Sequence, residues 1–107
     1  MKEIWDKRDI MNALCVVTNS LNGFEPAEKE IIKLAVSNAE TVLFYVNGLT
    51  ITCPPSTHGF FKKGLEKNNS QLDLLFSYEP DKNKKFILGF LLRAVRETLK
   101  IMRNGKL

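Results

Sequence analysis

Cys53 and His58 are the two side chains of this chain whose types and spacing come closest to covalent chemistry. A thiol beside an imidazole acts as a nucleophile when the ring takes its proton and a third group orients the ring. Here two prolines, Pro54 and Pro55, separate the pair, and the pattern around Cys53 turns its side chain inward. A lone inward cysteine packs as a small apolar residue. One histidine with two distant cysteines, Cys15 and Cys53, does not make the donor set of a zinc site. Glycine-rich phosphate loops, HExxH and GxSxG are missing from the sequence. The expectation is a protein that is not an enzyme and uses no cofactor and no metal.

Two clusters suit binding instead. The first is His58-Gly59-Phe60-Phe61-Lys62-Lys63-Gly64, read as a glycine-bounded loop. Phe60 and Phe61 would stack on unpaired bases while Lys62 and Lys63 hold the phosphates. They serve equally well as aromatic anchors of a protein contact, or tuck the loop onto the core. The second cluster lies between Asp81 and Lys106. At 100° per residue, Lys82, Lys85, Arg93, Arg96, Lys100 and Arg103 fall in one narrow sector of a helix, with Gly89 in its middle. Six cations along roughly 32 Å of helix would follow several phosphates or an acidic groove. The plainer reading is a solvated edge, with the cations near the C-terminal end favoured by the helix dipole.

Around that edge the same helix is apolar: Phe86, Ile87, Leu88, Phe90, Leu91, Leu92, Val95, Leu99, Ile101 and Met102. Such a helix must be covered on more than one side. Apolar surface beyond what one sheet face covers is expected at Leu43, Tyr45, Phe86, Phe90 and Ile101. These are candidates for a partner or self-association interface, the latter most simply a homodimer.

Composition sets the class. The 107 residues suffice for one compact domain spanning 1–107, and 44% hydrophobic with 26% charged residues is ordinary for a globular fold. The net charge of +4 is uneven. Residues 1–53 hold five Lys/Arg against seven Asp/Glu, and residues 54–107 hold eleven against five. That asymmetry steers an acidic partner toward one face, unless Glu25, Glu28, Glu30 and Glu40 close the basic edge from within. The longest apolar run, Phe86 to Leu92, is far short of the ~20 residues that span a bilayer. With no apolar leader and two unpaired cysteines, the expected setting is cytoplasmic, without a membrane partner.

The elements that must position these residues are then read from periodicity. Asp6 caps a first helix running to about Leu21, with Ile10, Leu14, Val17 and Leu21 on one face and Asn22-Gly23 ending it. Pro26 opens a second helix with Ile31, Ile32, Ala35, Val36 and Ala39 inward. Residues 41–53 read as a β-hairpin about Asn47-Gly48, pairing Val46 with Leu49, Phe44 with Ile51 and Val42 with Cys53. Residues 54–70 read as irregular. Residues 71–78 alternate, with Leu72, Leu74, Phe76 and Tyr78 on one face of a third strand. The expected fold class is α+β: two N-terminal helices, a small antiparallel three-stranded sheet, and a long C-terminal helix packed on that sheet.

The functional expectation is a small non-catalytic regulatory, adaptor or inhibitor protein acting through protein–protein contacts. Small inhibitors encoded by mobile elements are often of this kind, and lysine outnumbers arginine twelve to four, as in many AT-rich genomes. The alternative is a nucleic-acid-binding protein using the basic edge and the Phe60–Lys63 loop.

Overall fold

A computed structural model describes residues 4–48 and 50–104. Among them the chain forms four helices and one two-stranded ribbon: α1 (Lys7–Thr18), α2 (Pro26–Phe44), β1 (Val46–Asn47), β2 (Thr50–Ile51), α3 (Pro55–Tyr78) and α4 (Lys82–Asn104). The helices share one apolar core, with α4 against the other three.

Helix starts follow the capping chemistry. Asp6 accepts from the Asp9 backbone N–H while Asp9 accepts from that of Asp6, a reciprocal box that satisfies two orphan donors. Pro26 occupies the first turn of α2, with Glu28 accepting from the Glu25 N–H. Asp81 Oδ1 accepts from Asn83 and Lys84 N–H at 2.9 and 3.0 Å and so opens α4. Helix α1 stops at Thr18, one turn before the expected Leu21, and the chain turns through Gly23 at φ +90° to bury Phe24.

The three-stranded α+β arrangement is not what the chain forms. Helix α2 continues through Phe44, so residues 41–44 belong to a helix and not to a hairpin strand. Its inward stripe is Ile32, Ala35, Val36, Ala39, Val42 and Leu43, a 3.6-residue period that carries on past Ala39. Leu43, expected on an outer sheet face, is fully buried, and Phe44, expected inward, is 82% exposed. The ribbon that remains pairs Val46 with Ile51 and Asn47 with Thr50, so the turn follows Asn47 and is not centred on Asn47-Gly48. Gly48 carries the positive φ, +67°, that this turn needs. Leu49 lies outside the described residues.

Residues 54–70, read as irregular, and 71–78, read as a third strand, together form the 24-residue helix α3. Pro54 and Pro55 sit at its cap and first position, where a missing N–H costs nothing. Its inward stripe is Phe61, Leu65, Asn68, Leu72, Leu75 and Phe76, again at helical spacing. Two glycines and an Asn pair give α3 a weak intrinsic propensity, so tertiary packing holds it helical. At Gly64 a Cβ would lie 3.3 Å from Asn38 Nδ2, so α2 and α3 approach closely there. Asn38 Nδ2 donates to Asn68 Oδ1 at 2.8 Å, which satisfies a buried side chain in that seam. Helix α4 therefore packs on helices and not on a sheet.

A pair of substitutions separates the two registers of residues 71–78. Leu72 is fully buried and Leu74 is 60% exposed. Leu72→Ala is expected to cost about 3 kcal/mol in urea unfolding, and Leu74→Ala less than about 0.5 kcal/mol. A strand with both on one face would make the two losses similar.

Candidate binding cleft

Helix α4 buries Leu88, Leu91, Leu92, Ala94, Val95, Thr98, Leu99, Ile101 and Met102, half of its circumference. The other half carries the basic sector and two phenylalanines, and along its first three turns it forms the floor of a cleft. Phe76 of α3 stands on one side and Trp5, just before α1, on the other; Phe86, Gly89 and Phe90 lie between them. Lys82, Lys85 and Arg93 complete the lining around a cavity of about 400 Å³. Among the described residues the lining contains aromatic rings, one glycine and cations, and no carboxylate.

The rings hold one another in place. Trp5 meets Phe90 edge-on at 5.4 Å between centroids, and Phe90 stacks on Phe86 at 5.9 Å with 15° between planes. Both geometries suit the ring quadrupoles. Two of the cations are positioned by the same rings: Lys85 Nζ lies 4.7 Å above the Phe76 ring, and the Arg93 guanidinium 4.4 Å above Trp5. Such contacts orient a cation without cancelling its charge. Gly89 is what lets Phe76 reach the floor, since a Cβ there would lie 3.0 Å from Phe76 Cε2.

The six cations of the predicted edge are thus not equivalent. Lys82, Lys85 and Arg93 ring the cleft. Arg96 is spent on α3, donating from Nε to Asn69 Oδ1 at 2.9 Å and meeting Asp73 Oδ1 at 3.4 Å. Lys100 and Arg103 are exposed further along α4. Glu28 of the acidic first half meets Lys84, outside the edge, at 3.3 Å, and Glu79 meets the same ammonium at 3.2 Å. Partial desolvation opposes its charge, but the two carboxylates outweigh it and hold the ammonium pKa above the usual lysine value.

The residues 58–64 form no loop; they make the first turns of α3. His58 Nε2 lies 2.9 Å from the Met102 carbonyl oxygen, which fits an Nε2–H donating to one of the orphan carbonyls at the end of α4. Phe61 and Lys62 are half-buried, Phe61 against the core, while Phe60 is 71% exposed beside an exposed Lys63. Phe60 and Phe61 meet edge-on at 5.2 Å. Among the interface candidates, Leu43 and Ile101 are buried within the chain and Tyr45 is half-buried. Phe86 and Phe90 belong to the cleft. Trp5 and Phe76 were not singled out by sequence: Trp5 lies outside any periodic segment, and Phe76 was assigned to a strand face.

Burial raises the Cys53 thiol pKa, against a smaller lowering by a backbone hydrogen bond. That is the direction opposite to an activated nucleophile. Among the described residues no group of three His, Cys, Asp or Glu is placed to hold a metal ion. No helix among them is long and apolar enough to cross a membrane.

Thiol labelling checks this contrast. Cys15 is exposed and Cys53 half-buried with a raised pKa. At pH 8 iodoacetamide is expected to alkylate Cys15 several-fold faster, read by peptide mass spectrometry. Faster labelling of Cys53 would revive it as a reactive group.

Compared with protein-family models, curated proteins and solved structures, the chain matches none of them, and the cleft itself carries the functional argument.

Proposed function

We propose that this chain is a non-catalytic binding protein of the regulatory or adaptor kind, working through protein–protein contacts at the α3–α4 cleft. The observation that carries the reading is the exposed aromatic floor. Phe86 leaves 63% of its surface in water although it stacks on Phe90. Large rings held rigidly at a surface lose little conformational entropy on binding and are the usual anchors of protein interfaces. A cleft with aromatic walls and a charged rim also has the anatomy of an interface, an apolar centre within a polar border.

The nucleic-acid reading draws support from exposed Phe60 and Lys63 on α3 and from Lys100 and Arg103 on α4. Against it, Arg96 interrupts the strip by pairing with Asp73, and Lys85 and Arg93 are held over rings within the cleft. A phosphate-tracking surface needs its cations free along the whole path.

A photo-crosslinking residue in place of Phe86, in cells that express the protein naturally, tests the reading. The expected product is a discrete protein adduct that disappears when Gly89→Phe fills the cleft. Phe86→Ala should weaken binding of the same partner by about tenfold or more with an unchanged melting temperature. Adducts with nucleic acid alone, or no adduct, would sink the proposal.

A further inference from the structure

Building on the protein-binding reading, we infer that the cleft's occupant is an acidic segment of a partner protein, anchored by a large apolar side chain and flanked by Asp or Glu. Three features of the cleft select this chemistry.

The first is the sign of the rim. Lys82, Lys85 and Arg93 border the cleft, and among the described residues no lining residue is acidic. Among the described residues, neither Lys82 nor Lys85 has a carboxylate within ion-pair distance; Lys85 is held only over Phe76. Like-charged juxtaposition excludes basic segments, and opposite charge speeds encounter and fixes register.

The second is the spacing of Lys82 and Lys85. They lie three positions apart on α4, about 4.5 Å along its axis. Two neighbouring Asp or Glu side chains of one segment meet both lysines while its apolar side chain enters the floor.

The third is the floor itself. Phe86, Phe90 and Trp5 present rings, with no amide, hydroxyl or carboxylate side chain among the described lining residues. A nucleobase buried there would leave its donors and acceptors unmet, a penalty that an aliphatic or aromatic side chain avoids. The cavity of about 400 Å³ admits such a side chain without rearrangement.

Trp5 is the chain's single tryptophan and lines the cleft, so its emission reports occupancy directly. A random peptide library is selected on the whole protein, and enriched peptides are titrated by Trp5 fluorescence against wild type and against the double variant Lys82→Glu, Lys85→Glu. Enriched sequences are expected to combine an apolar residue with two or more Asp or Glu. The double variant should bind them at least tenfold more weakly and should regain affinity for peptides with those acids changed to lysine, a gain that a misfolded variant cannot show. Lys63→Glu, on α3 outside the cleft lining, should leave affinity unchanged. Enrichment of neutral or basic peptides, indifference to charge reversal, or tighter binding of an oligothymidine probe overturns the inference. If the Phe86 crosslink to a protein persists in those cases, the binding reading survives and only its acidic chemistry fails; loss of both rejects the two together.

Discussion

The burial of α4 is the constraint on which the rest of this structure depends. Its buried residues cover half of the helix surface, from Ile101 and Ala94 round to Leu92. One neighbour covers a stripe and not half a cylinder, so α1, α2 and α3 must all lie against it. Each buried leucine contributes about 1.5–3 kcal/mol by leaving water, more than the about 1 kcal/mol of a typical neutral hydrogen bond. The lengths of α2 and α3 follow: each must run far enough to cover its share of α4, even through residues with little helical propensity of their own.

Polar contacts then fix how the helices meet, and they gather at ends and seams. His58 joins the start of α3 to the last turn of α4 through Met102. Lys84 ties the first turn of α4 to Glu28 of α2 and to Glu79 at the end of α3. Asn38 and Asn68 pair inside the α2–α3 seam, and Lys7 reaches the Val46 carbonyl at 3.0 Å, pinning the ribbon to α1. Most of these contacts lie at partly exposed sites, where a neutral hydrogen bond adds about 1 kcal/mol. Their work is specificity. A hydrophobic bundle admits several rotations of each helix, and unsatisfied Asn68 or unmet Met102 would penalise the wrong ones.

Much of this was legible in the sequence wherever a cap or proline punctuated a helical period. Asp6, Pro26 and Asp81 marked three helix starts, and the one-sided chemistry of α4 identified it as the central element. The β reading failed at 41–44 and 71–78 for one physical reason. Thr41-Val-Leu-Phe-Tyr-Val and Leu72-Asp-Leu-Leu-Phe are rich in residues that favour strands, and a short window of them fits period 2 almost as well as period 3.6. The longer window decides: Ile32 to Leu43 and Phe61 to Phe76 keep helical spacing throughout. Asn47-Gly48 misled in register, because Asn47 pairs with Thr50 and only Gly48 of that dipeptide, at positive φ, belongs to the turn. The cleft was half legible. Its cations and Phe86, Gly89 and Phe90 share one stretch of α4, but Trp5 and Phe76 arrive from distant sequence once α3 is helical.

Gly89 connects that packing to the cleft. Glycine inside a helix costs about 1 kcal/mol relative to alanine, and nothing in the backbone of α4 demands it, since Gly89 has no positive φ. What demands it is the Phe76 ring, which a Cβ at 89 would meet at 3.0 Å. With glycine there, Phe76 lies close against α4, carries Lys85 above its face, and leaves the space over Phe86 and Phe90 open. A larger residue would push Phe76 outward, carrying Lys85 with it and filling the floor. One small residue therefore sets the α3–α4 spacing, the position of a rim cation and the depth of the cleft together. The basic edge of α4 is accordingly not one surface with one property. Its first half, organised by aromatic rings about Gly89, is a shaped site, while beyond Arg93 the edge returns to an intramolecular pairing at Arg96 and solvated charge at Lys100 and Arg103.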